Sequence, residues 1–158
     1  MRFLIQRVSY ASVKVDGEEL GRIDRGFFVL IGIEDIDNRE VADKMVQKLL
    51  GLRIFEDSEG KSNLPLKDVN GELLLISQFT LSGDASHGNR PSYIHAARPE
   101  TAEPMYDYIV DSCRRAGYKV ETGRFGAEMK CELLNDGPFT IWLDSKDICP
   151  KLHASSLS

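Results

Sequence analysis

The chain has 158 residues, 42% of them hydrophobic, enough for one globular domain with a real core. A net charge of −5 and a pI near 5.2 exclude a protein that grips long duplex by neutralising phosphates, so no DNA partner is expected; a few nucleotides of a single-stranded end remain within reach. No apolar run is long enough to cross a bilayer and Met1–Arg7 lacks the marks of a signal peptide, so a cytoplasmic protein with no membrane partner is expected.

Residues 2–9 and 11–15 read as strands, rich in Val, Ile and Phe. Asp16-Gly17 marks a hairpin, because a type I′ turn needs positive φ at both central residues. Residues 18–24 return as a strand, and Phe27-Phe28-Val29-Leu30-Ile31 is apolar enough to be buried on both faces. Asp37 or Asn38 can cap a helix, and Asp37 with Glu40 resembles a capping box. Val41, Met45, Val46 and Leu49 then share one face, which predicts a helix over 38–50 that stops at Gly51.

A short strand is predicted at 52–55 and a central one at Leu73-Leu74-Leu75-Ile76, feeding directly into Ser77-Gln78-Phe79-Thr80-Leu81. Residues 82–92, with Gly83, Gly88, Asn89 and Pro91, read as a mobile surface loop. A second helix is expected over 102–116. Pro104 places its start, since a proline is harmless only in the first turn; Thr101 as N-cap satisfies this and a helix from Pro99 does not. Strands follow near 118–121, 128–134 and 139–144, with a turn at Asp136-Gly137-Pro138. Met129, Cys131 and Leu133 alternate with Lys130 and Glu132, so one face of that strand should be buried. The sum is a single α/β (α+β) domain, a strand-rich mixed sheet with two main helices. Its edges want a partner, which favours a homodimer.

Two segments invite a functional reading. Ser77–Leu81 is most simply the end of a buried strand. Yet ligand sites sit at such strand ends, exposed amides there can stabilise an oxyanion, and Ser77 or Thr80 offers a hydroxyl. No general base is nearby in sequence, although His87 or His95 could approach in space. Gly137-Pro138 is most simply a turn between antiparallel strands, but it can also present rigid carbonyls to a ligand. Cys113, Cys131 and Cys149 form no CxxC pair, and His87, His95 and His153 show no metal-ligand spacing. Free buried thiols are therefore expected, with no metal and no cofactor.

Together these segments resemble the D-aminoacyl-tRNA deacylase family, which carries an SQFTL and an NxGPVT segment at similar separation. Here they are Ser77–Leu81 and Asn135-Asp136-Gly137-Pro138-Phe139-Thr140. Gln6-Arg7-Val8, Leu52-Arg53-Ile54-Phe55, Arg90-Pro91-Ser92, Thr122-Gly123 and Phe125-Gly126-Ala127 with Met129 also match. The likeness runs from Met1 to about Asp144, giving a deacylase domain over 1–144 and a flexible tail over 145–158 whose Ser155–Ser158 end reads as disordered. Phe139 stands where the family has Val, and Ser62 where it has Met.

The resemblance implies a metal-independent homodimer that hydrolyses the ester between a D-amino acid, or glycine, and the 3′-terminal adenosine of tRNA. It implies a catalytic segment of Ser77, Gln78, Phe79 and Thr80, with amides around Gln78 and Phe79 as the oxyanion hole. Thr80 would be positioning, and the tRNA's own 2′-hydroxyl would assist the attack. It implies a substrate-binding set of Gly137, Pro138, Arg7 and Met129. Gly137-Pro138 would be a cis dipeptide that enters the partner subunit's pocket and excludes L side chains. Arg7 would hold that loop, and Met129, core by its alternation, would lie beside the pocket. Arg114, Arg115, Lys119, Arg124 and Lys130 form a loosely basic stretch, most simply a solvated face, of which part would touch acceptor-stem phosphates. Two other readings stand beside this one: a small esterase using Ser77 or Thr80 with a histidine, and a non-catalytic dimer that binds RNA ends.

Overall fold

A computed structural model describes residues 1–154. Alternating apolar side chains carry one unbroken strand, β1 (Arg2–Val15), where two were expected. Asp16 and Gly17 turn it with φ of 50° and 79°, both positive as a type I′ hairpin requires, into β2 (Glu18–Ile23). The chain continues into β3 (Gly26–Gly32), buried along nearly its whole length. A Cβ on Gly26 would lie 1.9 Å from the Glu72 carbonyl oxygen, so only glycine lets the next strand approach.

Helix α1 (Arg39–Gly51) buries the predicted face of Val41, Met45, Val46 and Leu49. Its N-cap is Asn38, whose Oδ1 accepts from the Val41 amide at 2.9 Å. Asp37 makes no capping box. It is buried, accepting from the Glu34 amide at 2.8 Å and pairing with the Met1 ammonium at 2.8 Å. Next comes β4 (Arg53–Glu56), close to the strand expected at 52–55, which pairs in a hairpin with an unforeseen β5 (Ser62–Pro65). The central strand β6 (Glu72–Ser77), helix α2 (Pro99–Arg115) and β7 (Val120–Thr122) follow.

Helix α2 starts at Pro99, not at 102, and Pro104 lies inside it. Pro99 takes the N1 place, where a missing N–H is harmless. The carbonyl that Pro104 leaves without a partner belongs to the exposed first-turn residue Glu100, where water can serve it.

The last strand overturns a second expectation. β8 (Lys130–Asp144) is one strand, and both its halves pair antiparallel with β1. Asp136-Gly137-Pro138 is therefore a bulge in an edge strand, not a hairpin turn. Gln6 faces Thr140 while Val8 faces Asn135, so the extra residues bow out opposite Arg7. The predicted burial along 128–134 is only half met, because Leu133 is partly covered and Cys131 is exposed. Of the thiols expected to be buried, Cys113 and Cys149 are.

β8 lies along one edge of β1, while β2 and then β3 lie along the other. β6 joins β3 in parallel and β7 joins β6 in parallel, with α1 and α2 in the crossovers. Both helices cover one face, packing on Phe3, Ile5, Phe27, Val29, Leu73 and Leu75. On the other face the sheet curls around Val8, Ala11, Val13, Phe28, Leu74 and Ile76. After Asp144, α3 (Ser145–Ile148) and α4 (Pro150–Ala154) pack as short helices rather than a loose tail. Ser145 and Cys149 are buried there; the expectation for Ser155–Ser158 lies outside the described residues.

Candidate active site

Strand β6 makes its last pairing at Ser77, opposite Ile31. The Gln78 amide still donates to the Ile31 carbonyl at 2.8 Å, then the backbone swings away into a single 3-10 turn, Phe79–Ser82. The Leu81 amide returns to the Gln78 carbonyl and the Gly83 amide to that of Thr80. Among the described residues the amides of Phe79 and Thr80 take no protein acceptor. Of the amides expected around Gln78 and Phe79, that of Gln78 is thus spent on the sheet, and the free pair sits one residue further on. Gln78 Nε2 donates to Thr80 Oγ1 at 2.5 Å, and Arg2 Nη1 donates to the Leu81 carbonyl at 2.7 Å, fixing the far end of the turn.

Beside the turn lies a cavity of about 350 Å³. Its walls are Ile76–Phe79, the start of α2 at Ala97 and Pro99, and Phe125–Ala127 with Met129 and Cys131. Met129 thus reaches the cavity wall, held against Gly123, where an added Cβ would lie 2.4 Å from its sulfur. Tyr106, whose hydroxyl donates to the buried Leu75 carbonyl at 2.7 Å, backs Phe125 with ring centroids 6.2 Å apart. Phe79 is 56% exposed, with the edge of Tyr93 against it at 5.2 Å.

Cys131 is the sole titratable side chain in this wall, and although the residue is exposed as a whole, partial desolvation of its sulfur pushes the thiol up. Neither His87 nor His95 reaches it; His95 lines a separate cleft with Arg2, Glu34, Asp84 and Lys146. An esterase using Ser77 or Thr80 with a histidine base finds no base here. Among the described residues no three His, Cys, Asp or Glu side chains are grouped to hold a metal ion.

The second segment is held elsewhere. Arg7 is 4% exposed and donates to three carbonyls: Asp136 at 3.1 Å, Gly137 at 3.2 Å and Ile54 at 2.6 Å. Its Nε also pairs with the Asp136 carboxylate at 3.2 Å, and its guanidinium lies 4.5 Å from the Phe139 ring centroid. Phe139 therefore lies under Arg7 and is not part of its own chain's cavity wall. Asn135 Nδ2 donates to the Arg7 and Phe139 carbonyls, closing the bulge, and the Gly137–Pro138 peptide bond is cis.

The sheet keeps this bulge from its own chain's cavity. Arg7 pairs with Phe27 and Phe27 with Leu73, whereas Ser77 lies four residues further along β6. About four rises of ~3.3 Å along the strands and three spacings of ~4.8 Å across them separate the two sites by roughly 20 Å.

The basic stretch is mostly occupied within the protein. Arg114 donates to the Val120 carbonyl and Arg115 to Ser112, while Lys119 pairs with Glu72 and Lys130 with Glu128. Sequence reasoning passed over Arg2, because one arginine near a chain start carries no sign of the carbonyl it will meet.

A mixed sheet with a cavity at its strand ends is the frame of a small α/β enzyme, and unspent amides there suit hydrolysis of an activated acyl group. Comparison with known proteins makes the class specific. Residues 4–144 match the family described as D-Tyr-tRNA(Tyr) deacylase. The chain is 49% identical to the D-aminoacyl-tRNA deacylase of Thermosipho africanus, with 94% of this chain and 99% of that protein covered. It is 51% identical, over the same shares, to the one from Syntrophomonas wolfei. A solved structure of a c-Myc DNA Unwinding Element Binding Protein superposes with a TM-score of 0.86 at 40% identity, over 91% of this chain and 98% of that one. A probable eukaryotic D-amino acid tRNA deacylase shares the fold, with a TM-score of 0.77 at 20% identity over 90% and 97%. The chain belongs to the D-Tyr-tRNA(Tyr) deacylase family and is a hydrolase.

Proposed function

We propose that this enzyme hydrolyses the ester between a D-amino acid, or glycine, and the 3′-terminal adenosine of tRNA, acting in the cytoplasm as a homodimer. The observation that carries this is the unspent Phe79 and Thr80 amides beside a cavity that lacks a side-chain base. A water adds to the ester carbonyl, the amides donate hydrogen bonds to its oxygen as negative charge develops there, and the adenosine 3′-oxygen departs with a proton from the water. An aminoacyl ester is activated enough for positioning and charge stabilisation to suffice, with the tRNA's 2′-hydroxyl assisting the attack. Thr80, held by Gln78, positions the turn and forms no covalent intermediate.

Gly137-Pro138 supplies the chiral filter in this reading. The bulge lies about 20 Å from its own chain's cavity by strand spacings, so it acts in the cavity of a second copy. Its carbonyls close on the substrate's α-carbon and leave no room for an L side chain, while glycine passes. Arg7 holds the Gly137 carbonyl and that of Asp136 before it, fixing the segment's position.

The test is hydrolysis of matched D-tyrosyl- and L-tyrosyl-tRNA with a chelator present. Loss of the D ester with the L ester spared is expected. Cleavage of neither, with the RNA end still bound, would leave a binding protein instead.

A further inference from the structure

We propose that Arg98 and Arg124 take backbone phosphates of the nucleotides preceding the tRNA 3′ terminus and so hold the RNA end over the cavity. The proposal rests on the deacylase reading. A chain of net charge −5 has no general attraction for RNA, so the cations that hold the strand must be ones that stand where it enters. Arg114, Arg115, Lys119 and Lys130 are occupied by partners within the protein.

Arg98 and Arg124 are not. Both are exposed, and neither makes an ion pair, side-chain hydrogen bond or ring contact among the described residues. An exposed arginine is usually only a solvated one, and position sets these two apart. Arg98 stands between Ala97 and Pro99, and Arg124 directly precedes Phe125; all three neighbours line the cavity. Two guanidiniums thus rise from two separate segments of its rim. Arg98 is also the N-cap of the seventeen-residue α2, which has no side-chain cap, so the helix dipole favours an anion beside it. Glu100 in the first turn opposes this in part, which makes the guanidinium the deciding charge. Guanidiniums suit phosphate oxygens because their donors form a planar fork.

The experiment compares two substrates, D-tyrosyl-tRNA and the D-tyrosyl ester of adenosine, which has no phosphate. Arg98→Ala and Arg124→Ala should each raise KM for the tRNA roughly three- to tenfold, with kcat kept. Each should also flatten the slope of log(kcat/KM) against log salt by about 0.7, the single-strand value per contact. Hydrolysis of the adenosine ester should not change. Arg98→Lys and Arg124→Lys should keep most of the slope, and Lys48→Ala, on α1, which lines no part of the cavity, should behave as wild type. An unchanged KM and slope on tRNA, or an equal loss on the adenosine ester, would overturn the proposal. If the wild type cleaved neither ester, the deacylase reading would fall. The salt slope of uncharged-tRNA binding to the same variants would then decide the arginines' role alone.

Discussion

Replacing Arg7 with methionine keeps the stem that fills its buried slot and removes the group that holds the Gly137-Pro138 bulge. The Asp136 and Gly137 carbonyls lie in exposed residues and can turn to water, but the bond to the Ile54 carbonyl is buried. Leaving that carbonyl unsatisfied costs about 1–3 kcal/mol. The Asp136 pair, with that carboxylate 48% exposed, adds at most about 1 kcal/mol, and the contact with Phe139 about 0.5–1. The sum is about 1.5–5 kcal/mol. At about 2.1 cal/mol/K per residue of unfolding entropy, 1 kcal/mol moves the midpoint of a chain this long by about 3 °C. The thermal unfolding midpoint at fixed protein concentration should therefore fall by roughly 5–15 °C. At a temperature where both forms are folded, D-ester hydrolysis should persist while rejection of the L ester weakens, since the cavity's own residues are untouched. A midpoint within about 3 °C of wild type, together with an unchanged D-to-L ratio, would refute the clamp.

Four further outcomes follow from the same geometry. Gly123→Ala puts a methyl against the Met129 sulfur and drives that side chain into the cavity, so turnover of D-tyrosyl-tRNA should fall more than that of glycyl-tRNA; paired kcat/KM values check this. Thr80→Ala should keep most of the single-turnover rate, whereas complete loss with normal tRNA binding would make Thr80 the nucleophile. Desolvation raises the Cys131 thiol and keeps it protonated near neutral pH, so Cys131→Ser should leave the pH–rate profile unchanged, and a bell with an acid limb in the histidine range would reveal a base now unseen. Burial raises the Asp144 carboxyl, but the Lys146 amide, the Arg2 hydrogen bond and nearby positive charge outweigh it and hold it below the ordinary range. A depressed folded value stabilises above the unfolded one and loses that stability as pH falls through the folded one. Acid unfolding of Asp144→Asn should therefore show a shallower loss below about pH 4 than wild type.

Much of this fold is written locally. Asp16-Gly17 can only be a tight turn, and the α1 stripe can only face a core. Most of what escaped was set by partners distant in sequence, though one miss was local. Pro104 reads as a helix start until Pro99 is seen to fill N1 with an exposed Glu100 carbonyl behind it. The Lys130–Asp144 segment reads as two strands because Gly137-Pro138 signals a turn; only the facing β1 makes the halves collinear. At the site, Ser77–Leu81 and Gly137-Pro138 were legible as segments, but not the roles of single atoms. Whether the Gln78 amide is free depends on Ile31, a neighbour 47 positions earlier in the chain.

The bulge in β8 also bears on how such a protein can diverge. Side chains alternate along a strand, so one residue gained or lost beside Leu133 or Ile141 would turn every later position inside out and expel Leu143 from the core. Between Asn135 and Thr140 that rule is suspended, since the ladder has already been interrupted and both halves are registered on β1 separately. Residues can be added or removed there without retuning the sheet. Lineages can thus remodel the reach of this segment by small insertions while the scaffold stays fixed.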